Sequence, residues 1–130
     1  MNKTTARSIN GDIRYGDVVI AIPDSRYGCL IGKVIKIGIG STGKYKKVHV
    51  SFKAFQYPVS HLSLIEEYFC SLSGKTLSYD ELPIHNASVS PKKLIRLTEL
   101  SDDEIYNLVE NYEEAESYCN KILGVESESN

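Results

Sequence analysis

Hydrophobic positions along this 130-residue chain keep two rhythms, and the change falls near Pro58. Ahead of it, β-branched residues run together or alternate. Asp17-Val18-Val19-Ile20-Ala21-Ile22 predicts a strand that stops at Pro23, because proline has no N–H with which to continue a ladder. Pro23-Asp24-Ser25 and Gly28 supply turn residues. Leu30 to Ile37 predicts a second strand, with Gly32 placed for a bulge or sharp bend. Lys46 to Phe52 alternates most cleanly: Val48, Val50 and Phe52 share one face, and Lys47, His49 and Ser51 the other.

Beyond Pro58 the spacing lengthens. Leu62, Ile65, Phe69 and Leu72 recur every three or four residues, which predicts a helix over 62–73. Ser63 with Glu66 suits a capping box at its start, and Gly74 suits its stop. Residues 74–91 hold turn formers and two prolines and read as a long irregular connection. Leu94 to Thr98 predicts a short strand that returns to the sheet. Ser101-Asp102-Asp103-Glu104 then opens a long helix as a capping box, with acids where the helix dipole favours them. Its stripe is Ile105, Leu108, Val109, Tyr112, Ala115, Cys119, Ile122 and Leu123, closed by Gly124. The polar ends, 1–11 and 125–130, are expected to fray. Arg-Tyr-Gly occurs at 14–16 and again at 26–28, each time as turn chemistry before an apolar run.

These elements predict one α+β domain over 1–130: a small, strongly bent antiparallel sheet over about 12–58 plus 94–98, a short helix at 62–73 and a long one at 102–123. The start MNKTTARSINGD lacks the apolar core of a secretion signal, and no apolar run is long enough for a membrane span. Cys29, Cys70 and Cys119 are odd in number and far apart, which fits a reducing cytoplasm. His49, His61 and His85 make no metal-ligand spacing with them, so no metal is expected and the histidines are read as solvent-facing or capping. Cys29 beside His49 could imitate a nucleophile and its base, but a buried structural cysteine is the reading adopted.

The stretch GIGSTGKYKK, residues 38–47, needs separate treatment. Gly38, Gly43 and Lys44 match most of a phosphate-loop spacing. Such a loop works by joining a strand to a helix N-terminus, and it needs a small hydroxyl after the lysine. Here Tyr45 fills that position and an alternating segment follows. A turn between two hairpin strands is therefore expected, with no nucleotide cofactor.

Charge changes the picture more than any motif. Residues 1–61 hold ten Lys/Arg against three Asp/Glu, a balance of +7, while residues 62–130 carry −9. Lys33, Lys36, Lys44, Lys46, Lys47 and Lys53 come from two adjacent strands and the turn between them, with Tyr45 among them. Lysines neutralise phosphates and a ring offers a base a stacking surface, so these seven residues are the candidate nucleic-acid-binding set. The competing reading is that the lysines only keep exposed strands soluble.

Gly16-Asp17-x-Val19, continued by Gly32-Lys33-Val34, resembles the opening of SH3-like small barrels of the Tudor and KOW kind. The resemblance covers 12–53 and allows 94–98 as the closing strand. It implies a barrel that binds instead of catalysing; Tyr15, Tyr27 and Tyr57 are available for an aromatic cage but form no evident set. GDVVIAIPDSRYGCLIGKVIKI with KVHVSF is also similar to small proteins of bacterial conjugative elements, which implies no activity. The expectation is thus a non-enzymatic cytoplasmic interaction module that contacts nucleic acid through a basic hairpin. A protein–protein adaptor using the barrel groove or the acidic C-terminal helix is the alternative.

Overall fold

The computed structural model describes residues 5–39, 46–78 and 81–124. Its strands in chain order are β1 (Ala6–Ser8), β2 (Gly11–Ile13), β3 (Val18–Ala21), β4 (Ile31–Ile39), β5 (Lys46–Ser51), β6 (Ala87–Val89) and β7 (Leu94–Arg96). Its helices are α1 (Val59–Ser73), α2 (Asp102–Glu110) and α3 (Tyr112–Leu123). The chain is mixed α+β with antiparallel sheets. The main sheet runs β6-β5-β4-β3-β7, and β1 pairs with β2 alone. As predicted for 94–98, β7 returns to the sheet, alongside β3 with Ile20 opposite Ile95. Among the described residues no pairing joins β6 to β7, so the sheet is open and not closed into a barrel.

The segment 46–51 is extended and antiparallel to β4, with Gly38 opposite Lys47 and Ile39 opposite Lys46. Strand therefore follows GIGSTGK, not helix. Residues 40–45 themselves lie outside the described residues. The bulge expected at Gly32 falls elsewhere, as a register shift between Val34 and Lys36 that leaves Ile35 extra. Gly32 meets a different need. A Cβ there would lie 2.5 Å from the Ser51 carbonyl oxygen and 2.9 Å from Phe52 Cα, so only hydrogen lets β4 pass the end of β5.

Where the polar start is described, from Thr5 onward, it is ordered instead of frayed; residues 1–4 and 125–130 lie outside the described residues. Ala6–Ser8 folds back on Gly11–Ile13, with Gly11 at φ +142°. This hairpin sits on the edge of β7: Ile9 N–H donates to Leu94 O at 3.1 Å. The Asn10 amide then serves both backbone groups of Arg96, donating to its oxygen at 3.0 Å and accepting from its nitrogen at 2.7 Å. One side chain thereby does what the next strand of a ladder would do.

Helix α1 starts before the predicted Ser63–Glu66 box. Pro58 precedes it, and the proline carbonyl accepts from both His61 N and Leu62 N at 3.1 Å. The fixed φ of proline suits a helix start, which moves the boundary forward. Gly74, left-handed at φ +76°, ends the helix as predicted. Ile65 and Phe69 are buried, whereas Leu72 is exposed. The Ser101 capping box is present in full. The long C-terminal helix is instead two helices, because Asn111 adopts an extended conformation and its Oδ1 accepts from Glu114 N at 3.2 Å. An asparagine that can cap its own successor competes with helix continuation. β6 lies within the connection expected to be irregular.

Buried apolar side chains form one cluster drawn from the sheet, the hairpin and all three helices. Cys29 and Cys119 both belong to it, as read from the sequence. The Cys119 thiol and the Cys29 N–H meet on one acceptor, the Ala21 carbonyl. Tyr27 stacks on Phe52, and Tyr57 bonds both backbone groups of Ile31, so neither is free for an aromatic cage. His61 corrects a prediction: it is only 3% exposed, wedged between the rings of Tyr57 and Tyr112.

Candidate nucleic-acid interface

Antiparallel register decides which lysines share a surface. Lys33 stands opposite Ser51 and Lys36 opposite His49, so both lie on the Lys47–His49–Ser51 face of the ribbon. Strict alternation would put residues three apart on opposite faces. The extra residue at Ile35 brings Lys33 and Lys36 to the same one. The row continues through His49 to Ser88 on β6. Lys33, Lys36 and Lys47 are all exposed.

At the far end of this ribbon, where β5 begins beside β6, lies a cleft of about 660 Å³. It is lined by Arg7, Lys46, Lys47, Ser88, Val89, Ser90, Pro91 and Lys92. Three separate local structures deliver its four cations. The β1–β2 hairpin brings Arg7, β5 brings Lys46 and Lys47, and the 3₁₀ turn Pro91–Lys93 brings Lys92. That turn is set by Pro91 at its first position and by Ser90, whose hydroxyl accepts from Lys92 N at 3.4 Å. Lys46 is oriented by donating to the Thr5 carbonyl.

The cations remain available for anions. Arg7 reaches Asp12 only at 3.9 Å, with both side chains mostly exposed, and such a pair is worth about 1 kcal/mol at most. Among the described residues no acid pairs with Lys47 or Lys92, and no carboxylate of α2 or α3 reaches the cleft. Lys93, next in sequence, is taken by Asp24 at 3.4 Å.

Of the seven residues predicted from sequence, the structure brings Lys46 and Lys47 into the cleft and sets Lys33 and Lys36 on the adjoining face. Lys53 does not join them: it sits half-buried in the 3₁₀ turn Phe52–Ala54, at the opposite end of β5. Lys44 and Tyr45 lie outside the described residues. Arg7 and Lys92 were missed. Asn10-Gly11 is a hairpin dipeptide and could have placed Arg7 on a strand. Lys92 was hidden by the negative balance of its half of the chain.

Among the described residues no three His, Cys, Asp or Glu side chains gather as metal ligands would, and no helix is long and apolar enough to cross a membrane. Compared with known proteins, the chain matches no family model, no curated protein and no solved structure.

Proposed function

We propose that this chain is a non-enzymatic interaction module that binds nucleic acid through the basic cleft and the lysine-bearing face of β4 and β5 beside it. The carrying observation is that Arg7, Lys46, Lys47 and Lys92 meet in one concavity whose described lining contains no acid. Cations gathered from separate elements concentrate positive potential where a phosphate can touch several at once. Contacts of this kind read backbone charge, so no base order is preferred. What supports a relation to the SH3-like small barrels is the strand order alone: β3, β4, β5 and β6 are neighbours in chain order, with α1 set between β5 and β6, and β7 returns beside β3 after a single 3₁₀ turn. Small barrels of that kind commonly present binding surfaces, which is an argument from analogy of fold.

The test is a fluorescence-anisotropy titration with labelled oligonucleotides at low salt. Three or four neutralised phosphates give a slope of about −2 to −3 in log K against log salt for a single strand. Between 50 and 200 mM salt that is a loss of roughly twenty- to fiftyfold. Absence of binding at low salt overturns the reading.

A second reading, the protein adaptor, has one observation of its own. Leu64, Tyr68 and Leu72 stand 57%, 43% and 58% exposed along one side of α1. Spaced four apart, they form an apolar stripe on a helix surface. A nuclease-insensitive partner recovered from lysate, and lost on Leu64→Lys, would favour it.

A further inference from the structure

We infer that the ligand of the basic cleft is a single strand of nucleic acid, bound with a base turned inward and its phosphates on the rim. The inference rests on the nucleic-acid reading above and deepens it. Its ground is the division of the cleft into two kinds of surface. The charged groups belong to Arg7, Lys46, Lys47 and Lys92, all four exposed residues. With them the lining holds Pro91, partly exposed, and the exposed residues Ser88 and Ser90, whereas the Val89 side chain is only 5% exposed and belongs to the core; most of the exposed lining is carbon.

A duplex offers such a cleft nothing to put on its floor. Its bases are stacked and paired inside, so a concave site meets only sugar and phosphate. Seating a phosphate against the Pro91 ring would strip it of water without supplying a donor, since proline has no N–H. An unstacked strand presents both parts at once, a flat apolar face and a charged backbone. A volume of about 660 Å³ also falls within the range of pockets that bury a small ligand, a scale suited to one or two nucleotides. The Ser88 hydroxyl can both donate and accept, and Ser90, which already accepts from Lys92 N, keeps its donor, so they can bond the edge of any base without selecting among them.

The experiment compares three probes of equal length and label: a single strand, the same strand as a blunt duplex, and a strand of abasic sites with its phosphates intact. The expected order is single strand tightest, with the abasic strand about tenfold weaker, since it forfeits the burial of one base face. The duplex is expected at least as weak as the abasic strand. Pro91→Ala, which takes the ring out of the lining and adds no charge, should reduce the preference for the intact strand over the abasic one. If the duplex or the abasic strand binds as tightly as the intact strand, the inference fails and the nucleic-acid reading survives. If none of the three binds, both fail.

Discussion

His61 shows how a single side chain can set a pH dependence. Its Nε2 lies 3.4 Å from the Gly28 carbonyl, so the N–H of the neutral ring is placed there, and Nδ1 is buried with no partner among the described residues. Burial depresses the pKa of His61 below its ordinary value near 6.5, and the Gly28 carbonyl offsets this only in part. The unfolded chain therefore binds the proton more readily. Stability is complete above the unfolded value and is lost as pH falls through 6.5 toward the folded one. His61→Phe should be neutral or mildly stabilising at pH 7.5, because a buried unpaired acceptor is removed along with one long hydrogen bond. Denaturation midpoints at pH 7.5 and 5 should then show the wild type losing more stability than the variant; equal losses would contradict the assignment. Gly32 supplies the opposite case, in which nothing can be added. Gly32→Ala should cost about 3 kcal/mol, since the atoms it strikes on Ser51 and Phe52 are backbone and cannot rotate away. An unchanged urea midpoint would refute that close approach.

Elements were legible where one period held over several residues and no side chain competed with the backbone. β3, β4 and β5 alternate or run apolar, and the Ser101 box is local, so each could be read from its own residues. β6 is three residues long, and only its pairing with β5 makes it a strand. A segment that short carries no period to read. Asn111 divided the last helix by a capping bond that the apolar stripe running past it concealed. The β1–β2 hairpin was overlooked because its outer positions are polar and its anchorage is remote: Asn10 bonds a residue 86 positions away. Asn10→Ala should remove both hydrogen bonds to Arg96, together with the one accepted from the Ser8 hydroxyl, and cost about 2 kcal/mol. The Arg96 amide should exchange faster by hydrogen-exchange NMR, while amides of β4 and β5 keep their protection. Unaltered exchange at Arg96 would mean the hairpin is held by other means.

At the scale of the whole molecule, charge follows topology and not position along the chain. The sequence divides into a basic front and an acidic rear, yet Lys92 comes from the rear to complete a cleft begun by Arg7, Lys46 and Lys47. Front-half Asp12 and Asp24 face Arg7 and Lys93. The candidate site was therefore half visible in sequence: its strand lysines were, and the members carried in by the hairpin and the 3₁₀ turn were not. That gathering separates a binding cleft from a scatter of solubilising lysines, and charge reversal at matched net charge distinguishes them most directly. Lys47→Glu with Lys92→Glu reverses two exposed cations of the cleft; Lys75→Glu with Lys121→Glu reverses two exposed cations on other elements. Oligonucleotide affinity at low salt, measured on both pairs after confirming that their melting temperatures match the wild type, should fall at least about thirtyfold for the cleft pair and no more than about threefold for the other. Equal losses in the two pairs, or none in either, would contradict the account.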